Sequence, residues 1–554
     1  MIGPAVAAAL LFAFAVDDDP ALAHARKFYD AGKWADTVAV WRGLPHPPPA
    51  LDYYAGMALA RLERLDDARA ALEAGWRKDP RDKRFPVELA GLAYKRQDFS
   101  SAARYLHRAL RLDPADRYAN DFLATIYFLR YNLDAALPYW NRAGKPRIEQ
   151  IRQEPEPRVR PDLLDQAFAV APASVLTLGD LRATEASLDL LGIFSRYQFA
   201  LAPRDENETF DLAFRSTERN GWGDTKWQGL LTMLRGAPYA TLYPEWYNLG
   251  RSAVNVTSLV RFDPEKLRLS ASVSGPAAGN PHLRWRFFLD GRKENWNLTR
   301  SFHGTGAPPD DLHVEKIEGG GEIRGVIGAN WGWSSAVSVA DRKFARAPDA
   351  ANYFTNGASV KYRGQIDRAL LYLPQHRLAV TSSAFGEFGK LFATGFGPYS
   401  RAGAAVATRW FPEAEGDRYQ LSTSLRTGTA SGAVPFDELF MLGLECDNDL
   451  PLRAHIGTED GRKGSAPLGR TYFLWNAELY RKIYDAGFLK IKLGPFLDSG
   501  RITDSSGVFG SQRWLWDTGV QLKVSVFSTV TVAFSYGKDL TSGRNAFYAT
   551  ALGP

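Results

Sequence analysis

The chain has 554 residues, which at ~150 residues per domain corresponds to three or four domains rather than one small fold. Its 45% hydrophobic and 23% charged residues are typical of a soluble protein, and after the extreme N-terminus no stretch reaches the ~18 consecutive apolar residues of a transmembrane helix. This excludes a helical membrane protein but not a transmembrane β-barrel, whose strands need only ~10 residues with alternate ones apolar. The 68 basic and 62 acidic residues give a net charge of +6 that is dispersed along the chain, so nucleic acid is not an expected partner.

Residues 1–19 are predicted to be a signal peptide. An apolar run ends at Ala13, Phe14 and Ala15, which fits the small-x-small site of a signal peptidase, and three aspartates follow at 17–19. No Lys or Arg precedes the run, so a buried N-terminal helix is the alternative. An exported chain would fold without an intrachain disulfide, because Cys446 is its single cysteine.

A 34-residue period predicts repeated helices over residues 20–145. Asp79-Pro80 recurs as Asp113-Pro114, and small residues recur at the same spacing in two series: Ala68, Ala102 and Ala136, and Gly56, Ala90 and Ala124. The pattern resembles the tetratricopeptide repeat family, in which small residues let antiparallel helices approach and Pro closes each unit. Leu72 and Leu106 are expected to fill the seam between the helices. The resemblance implies a surface for a peptide or protein, and a purely structural spacer is the alternative.

Residues 146–220 are predicted to form one small α+β domain. The segment from 147 to 160 looks extended, 161–169 and 178–191 have helical periodicity, and 194–201 and 210–217 look like strands. The order β-α-α-β-β and the segment from Leu188 to Ser195 resemble the polypeptide-transport-associated (POTRA) domain. That resemblance implies a short sheet whose edge accepts an extended client strand through backbone hydrogen bonds.

Residues 221–554 alternate between apolar and polar side chains almost throughout. Between residues 267 and 274, for example, Leu267, Leu269, Ala271 and Val273 share one face, and the residues between them are Arg or Ser. Period two indicates strands. A soluble sandwich would alternate in the same way, but 334 residues without a helical interlude fit a transmembrane barrel of about 16 strands, at roughly 21 residues per strand and connection. The last strand is expected at 545–552, closing against the first barrel strand.

The C-terminal third resembles the BamA/TamA superfamily of outer-membrane assembly barrels, also called the bacterial surface antigen family. The resemblance rests on Leu452-Arg453-Ala454-His455 in a Gly-rich loop, a strand at 472–479, the segment from Leu493 to Gly500, and a strand beginning at Trp516. In that family a loop arginine within a Val/Leu-Arg-Gly-Phe/Tyr tetrad meets acidic residues on the inner barrel wall. Here Arg453 is retained, whereas Ala454 and His455 replace the glycine and the aromatic residue.

Strand parity predicts which side chains face Arg453. If Phe473, Trp475 and Leu479 point outward, Asn476 and Glu478 point into the lumen, and the same reasoning places Asp498 and Asp517 there. An arginine among these acids can make charge-assisted hydrogen bonds that hold the loop in the pore. The predicted latch is therefore Arg453 with Asp498, Asp517, Glu478 and Asn476, and Gly500 is the motif glycine. The alternative for each acid is an ordinary polar lumen position.

Catalytic patterns are not found in the sequence. The eight histidines include no pair at i, i+4, and neither a Gly-x-Ser-x-Gly elbow nor a Gly-rich phosphate loop occurs. We therefore expect a protein that is not an enzyme and has no cofactor, metal or catalytic residue. It would lie in the bacterial outer membrane with its N-terminal domains in the periplasm, and act on unfolded outer-membrane or secreted polypeptides, with periplasmic accessory proteins bound through the repeats. A passive channel or scaffold, and a dedicated two-partner-type secretion transporter, are the alternatives.

Overall fold

A computed structural model describes residues 20–204, 209–219, 226–347, 353–511, 513–526 and 530–552. The predicted signal peptide, residues 1–19, lies outside the described residues. The chain divides into two units after Gly144, and each is described by itself. None of the helices within these ranges is long and apolar enough to cross a membrane.

The first unit is helical. Its helices in chain order are α1 (Pro20–Asp30), α2 (Trp34–Arg42), α3 (Pro49–Arg61), α4 (Leu65–Lys78), α5 (Arg84–Lys95), α6 (Phe99–Leu112), α7 (Arg117–Leu129) and α8 (Leu133–Arg142). The starts of α4 and α6, Leu65 and Phe99, keep the 34-residue spacing of the sequence. The expected helical N-terminal region is therefore confirmed.

Small residues set how closely the helices of this unit approach. The five alanines of the two periodic series are fully buried, as is Leu106. A Cβ on Gly56 would lie 2.5 Å from the Leu72 side chain, and one on Gly75 would overlap the ring of Phe85. Since neither position has room for a methyl group, these glycines allow α3 to pack against α4 and α4 against α5.

The second unit begins with a three-stranded sheet and two helices. They are β1 (Arg147–Glu154), α9 (Pro161–Ala167), α10 (Leu178–Leu191), β2 (Phe194–Arg204) and β3 (Thr209–Glu218). The sheet order is β1-β3-β2, with β1 parallel and β2 antiparallel to β3, so β1 and β2 are its edge strands. Thr177 and Asp180 form a capping box at the start of α10, and Gly192, with φ of 64°, ends that helix.

The rest of the unit, after helix α11 (Lys226–Met233), is a large antiparallel sheet. Its strands are β4 (Thr241–Leu242), β5 (Glu245–Leu249), β6 (Val254–Asp263), β7 (Lys266–Ala277), β8 (Asn280–Trp296), β9 (Leu312–Ile327), β10 (Trp331–Ala345), β11 (Gly357–Leu373), β12 (Leu378–Leu391), β13 (Pro398–Trp410), β14 (Tyr419–Gly432), β19 (Thr471–Asp485), β20 (Leu489–Thr503), β21 (Leu515–Val526), β22 (Val530–Asp539) and β23 (Asn545–Leu552), and between β14 and β19 lie the short segments β15 (Phe440–Met441), β16 (Thr458–Glu459), β17 (Arg462–Lys463) and β18 (Leu468–Gly469).

Neighbouring strands are hydrogen bonded in an order that returns from β23 to β4, so the sheet closes into a barrel. The order contains 18 strand segments, and the expected count of about 16 is corrected. Two features of the chain raise the number of segments. β4 and β5 are separate segments that both pair with β6, and β16 and β17 belong to a loop that is inserted between β14 and β19 although those two strands also pair directly.

The small sheet domain is docked on one rim of the barrel. Ser187 Oγ of α10 lies 2.8 Å from Nδ1 of His282, and Arg284 donates a 2.6 Å hydrogen bond to the Leu191 carbonyl. Asn255 donates to the same carbonyl at 3.2 Å. Because Asn255 lies at the start of β6, and His282 and Arg284 lie near the start of β8, the rim at the starts of these two strands faces the small domain.

Candidate functional site: a loop latched inside the barrel

The connection between β14 and β19, residues 433–470, is the candidate site. Its charged side chains pair with residues on strands all around the closed sheet: Arg261 of β6, Arg268 of β7, Glu294 of β8, Lys316 of β9, Arg342 of β10, Lys361 of β11, Arg401 of β13, Glu478 of β19, Asp498 of β20 and Asp517 of β21. A segment that reaches walls on opposite sides lies within the lumen. We call it the lumen loop.

Arg453 at the tip of the lumen loop binds two acids of the wall. Its Nε and Nη2 donate to the two oxygens of Asp498 at 2.8 and 2.6 Å, its backbone N–H donates to the same carboxylate at 3.1 Å, and its Nη1 donates to Glu478 at 2.9 Å. The Asp498 side chain is fully buried, and that of Arg453 is 4% exposed. The paired donors match the two carboxylate oxygens, so the contact fixes both the position and the orientation of the Arg453 guanidinium. We call these three residues the Arg453 latch.

The wall opposite the tip carries a row of polar side chains across four strands. Asn476 pairs in register with Asp498, Asp498 with Asp517, and Asp517 with Asp539. Asn476 donates to Asp498 at 2.8 Å and to the Pro451 carbonyl at 2.9 Å, so it joins the wall to the loop. The structure thus places Asn476, Asp498 and Asp517 on the face of these strands that the lumen loop contacts.

Ala454 and His455 engage the next acid of that row. The Ala454 N–H donates to Asp517 Oδ2 at 2.6 Å, and His455 Nδ1 lies 3.1 Å from the same oxygen. His455 Nε2 lies 3.7 Å from Asp539. Asp517 thus holds the two residues after Arg453 rather than the guanidinium itself. His455 contacts the wall through these polar contacts with Asp517 and Asp539.

Glycines of the wall make room for the tip. A Cβ on Gly537 of β22 would lie 2.8 Å from the Arg453 carbonyl oxygen, so the loop backbone rests directly on this strand. The guanidinium of Arg453 stacks over the ring of Phe496, with 4.0 Å between its central carbon and the ring centroid. Gly500 of β20 contacts a different part of the lumen loop, since a Cβ on Gly500 would lie 3.1 Å from the Leu442 side chain. Phe496 therefore supplies the aromatic surface that the sequence motif lacks.

A second anchor, which the sequence reasoning missed, lies at the start of the lumen loop. Glu438 accepts from Lys316 at 2.9 Å and from Arg401 at 2.9 Å, and it also pairs with Lys361 and Arg342. The neighbouring Asp437 lies 3.2 Å from Arg342. We call these residues the Glu438 cluster. The acidic pair 437–438 in a loop, and single cations within otherwise alternating strands, are the signals that could have indicated it.

A third anchor, also missed, surrounds Asp447. Its carboxylate accepts 2.6 Å hydrogen bonds from Arg261 and Arg268, and Lys463 lies 3.1 Å away while bonding Glu294 at 2.7 Å. We call these residues the Asp447 cluster. The three anchors tie the start, middle and tip of the loop to different parts of the wall.

Neighbouring cations keep the loop acids ionised. Burial alone would raise the pKa of Asp447, but Lys463, Arg261 and Arg268 hold this pKa well below its usual value. The pKa of Glu438 is likewise raised by burial but held well below its usual value by Lys316, Lys361, Arg401 and Arg342. Burial lowers the pKa of the Arg453 guanidinium, and its hydrogen bonds and proximity to Asp498 and Glu478 outweigh this and raise it. The anchors therefore persist as charge pairs.

Among the described residues, two groups each bring three potential metal-ligating side chains together. They are His455, Asp517 and Asp539, and Glu445, Cys446 and Asp447, each with donor atoms within 4.8 Å of one another. In the second group Asp447 is already matched by three cations, and the burial of Cys446 raises the pKa of its thiol, which opposes the thiolate that a metal needs. The arrangement is thus suited to holding the loop by ion pairs.

Comparison with known proteins gives distant structural likenesses. No model of a known protein family matches the chain, and no curated protein matches it in sequence. Among solved structures it is similar to CdiB from Escherichia coli, with 12% identity, a TM-score of 0.49, and coverage of 74% of this chain and 77% of that chain. It is also similar to CdiB from Acinetobacter baumannii, with 11% identity, a TM-score of 0.44 and coverage of 80% of each chain. A third similar structure is BamA from Haemophilus ducreyi lacking POTRA domains 1–3, with 11% identity, a TM-score of 0.43, and coverage of 74% of this chain and 85% of that chain.

Proposed function

We propose that this protein is an outer-membrane barrel of the BamA/TamA type that assists the insertion or translocation of other polypeptides. The observation that carries the proposal is the Arg453 latch, in which a long loop enters a closed barrel and is held on the inner wall by paired hydrogen bonds to Asp498. This is the arrangement that the sequence resemblance implies. No covalent chemistry is part of the proposal.

The outer face of the barrel supports a location in a bilayer. Large apolar side chains on five different strands are 58–65% exposed there: Leu289, Phe287, Val339, Ile317, Leu269 and Phe388. Exposed tryptophans also occur near strand ends, at Trp331, Trp410, Trp514 and Trp516. A soluble protein rarely exposes so much contiguous apolar surface, whereas a barrel in lipid has an apolar band between aromatic girdles.

The position of the small domain on one rim supports an orientation of the barrel in the membrane. In a barrel of this type the POTRA domain is periplasmic, so the rim that carries His282 and Arg284 would face the periplasm, and the helical repeats would share that compartment. The edge strands β1 and β2 can each accept an extended client through backbone hydrogen bonds without reading its sequence. We assign the small domain and the repeats to the capture of unfolded polypeptides.

The seam between the last and first strands supports a route into the membrane. β23 adjoins β4, which has only two residues, whereas β22 and β23 pair over eight positions. The Ala551 N–H donates to the Tyr239 hydroxyl just before β4, so a side chain completes the junction. A seam with few ladder hydrogen bonds can open and pair with a client strand, and burial of the client's apolar face in lipid drives its insertion. The anchored lumen loop would keep the rest of the wall in shape.

The test is depletion of the protein in its own bacterium, followed by quantitative proteomics of the outer-membrane and secreted fractions. We expect specific clients to be lost. Restoring an Arg453→Ala variant should rescue them poorly, while Asp341→Asn, which changes an exposed aspartate of β10, should rescue them fully.

The other outcomes separate the alternatives. An unchanged proteome together with altered solute uptake would refute the assembly role and indicate a passive channel or scaffold. Loss of one exported protein alone would indicate a dedicated two-partner-type transporter.

A further inference from the structure

A groove with a basic lining lies among helices α4, α5 and α6 of the first unit. It has a volume of about 420 Å³, and Leu89, Leu92 and Ala93 of α5 form its floor. Five arginines line it, at positions 69, 96, 104, 108 and 111, and Asp98 is the one carboxylate among its lining residues. We call it the arginine groove.

Three of these arginines lie on one face of α6. Arg104, Arg108 and Arg111 follow one another at i, i+4 and i+7, the spacing that aligns side chains along a helix. Like charges at this spacing repel and destabilise an isolated helix. Arg69 is neutralised by Glu73 at 2.7 Å and Arg96 by Asp66 at 2.6 Å, but among residues 20–144 no carboxylate forms an ion pair with the three arginines of α6. The groove therefore keeps an uncompensated positive charge.

Trp76 provides an independent indication of a missing acceptor. Its indole N–H is buried and has no hydrogen-bond partner among the described residues, although Trp76 also lines the groove. The ring is held in place by Tyr105, whose centroid is 6.1 Å away, and by Arg108, whose guanidinium carbon lies 5.8 Å from the ring centroid. A buried donor without a partner is costly, and a ligand oxygen in the groove would satisfy it.

We propose that the arginine groove binds an acidic, extended peptide segment. Carboxylates of Asp or Glu would take paired hydrogen bonds from the α6 arginines, a carboxylate or carbonyl oxygen would accept the Trp76 N–H, and apolar side chains of the segment would cover the α5 floor. The combination of cations with an apolar floor favours a peptide over a purely phosphate-bearing polymer. This proposal rests on the capture role that we assign to the repeats and gives the chemical class of the captured segment. The binding test below uses no barrel function, so its failure would leave the assembly role of the barrel standing.

The test is fluorescence anisotropy with the purified full-length protein in detergent micelles. The probe is a fluorescein-labelled peptide that alternates Glu with Leu. We expect saturable binding that weakens as salt is added. Arg104→Gln combined with Arg108→Gln should weaken binding about tenfold or more, and Trp76→Phe, which removes the N–H donor together with part of the ring, should weaken it by roughly threefold or more.

The matched control removes the same charge from the same unit but outside the groove. Arg77→Gln combined with Arg81→Gln should bind the probe like the unchanged protein, and far-ultraviolet circular dichroism should show equal helix content in all variants. Equal binding by both double variants would overturn the proposal, because the affinity would then follow net charge alone. A Lys–Leu peptide that binds as well, or a single-stranded oligonucleotide of equal charge that binds more tightly, would also overturn it.

Discussion

The helical unit and the barrel lumen bury their side chains by opposite chemistry. In the helical unit most of the fully buried residues are apolar, such as Leu59, Leu106 and Leu123, and among residues 20–144 Asp52 is the one buried charged residue. In the barrel Asp498 and Arg342 are at most 1% exposed, while Leu269 and Phe388 are more than 60% exposed on the outer face. The helical unit excludes water from its core, whereas the lumen holds matched charges.

This difference determines how each region fails. An apolar core loses stability in proportion to the volume that is removed, and its loss is nearly independent of pH. A buried ion pair depends on both partners, because removal of one leaves a buried charge without compensation. The lumen loop should therefore be more sensitive to single charge changes and to acid than the helical unit, whose one buried ion pair among residues 20–144 joins Asp52 to Lys78.

The largest expected effect is release of the whole lumen loop by acid. The neighbouring cations hold the folded pKa values of Glu438 and Asp447 well below the ordinary carboxyl value of ~4. Groups with lowered pKa values stabilise the folded state above the unfolded pKa and lose that contribution as the pH falls through the folded pKa. In planar lipid bilayers, conductance should rise once the pH is lowered well below ~4.

The helical unit is the internal control for the acid experiment. Its circular dichroism at 222 nm should change much less over the same pH range, because its core is mostly apolar. A conductance that stays constant down to the pH at which this dichroism collapses would show that the loop is not held by the carboxylates.

Breaking the Arg453 latch alone should have the next largest effect. Arg453→Ala leaves the fully buried Asp498 without its cation, and we expect a loss of about 3–5 kcal/mol or a lower folding yield. Asp498→Asn should do much the same. The measurement is heat-modifiable migration in detergent gels, with Asp341→Asn as the exposed control. Migration and client assembly that are unchanged in either latch variant would contradict the latch.

Leu106→Ala should destabilise the helical unit by about 3 kcal/mol and leave the barrel unaffected. Leu106 is fully buried between helices, so the truncation removes its contacts and opens a cavity. Circular dichroism at 222 nm during urea unfolding should show an earlier helical transition, while heat-modifiable migration stays normal. Altered migration would show that the two regions are energetically coupled.

Regular elements were predictable because their patterns are local. Period two in the sequence predicts that Glu478, Asp498 and Asp517 share the inner face. The last strand was expected at 545–552, and β23 spans these residues. The paths of irregular segments depend on tertiary contacts that no local pattern records. The anchoring of Glu438 and Asp447 therefore emerged only from the structure, as did the division of the first barrel strand into β4 and β5.

The smallest expected effect tests how closely the loop must approach the wall. Gly537→Ala would place a methyl group 2.8 Å from the Arg453 carbonyl oxygen, so the loop backbone or β22 must shift. We expect a loss of about 1–3 kcal/mol, as for overpacking elsewhere, because the latch can move without losing either charge. Gly386→Ala is the matched control, since a Cβ at that strand position meets nothing within 4 Å. If the two variants show the same heat-modifiable migration and the same urea midpoint, the loop is not pressed against β22, and the stabilising contacts of the tip reduce to its hydrogen bonds with Asp498, Glu478 and Asp517.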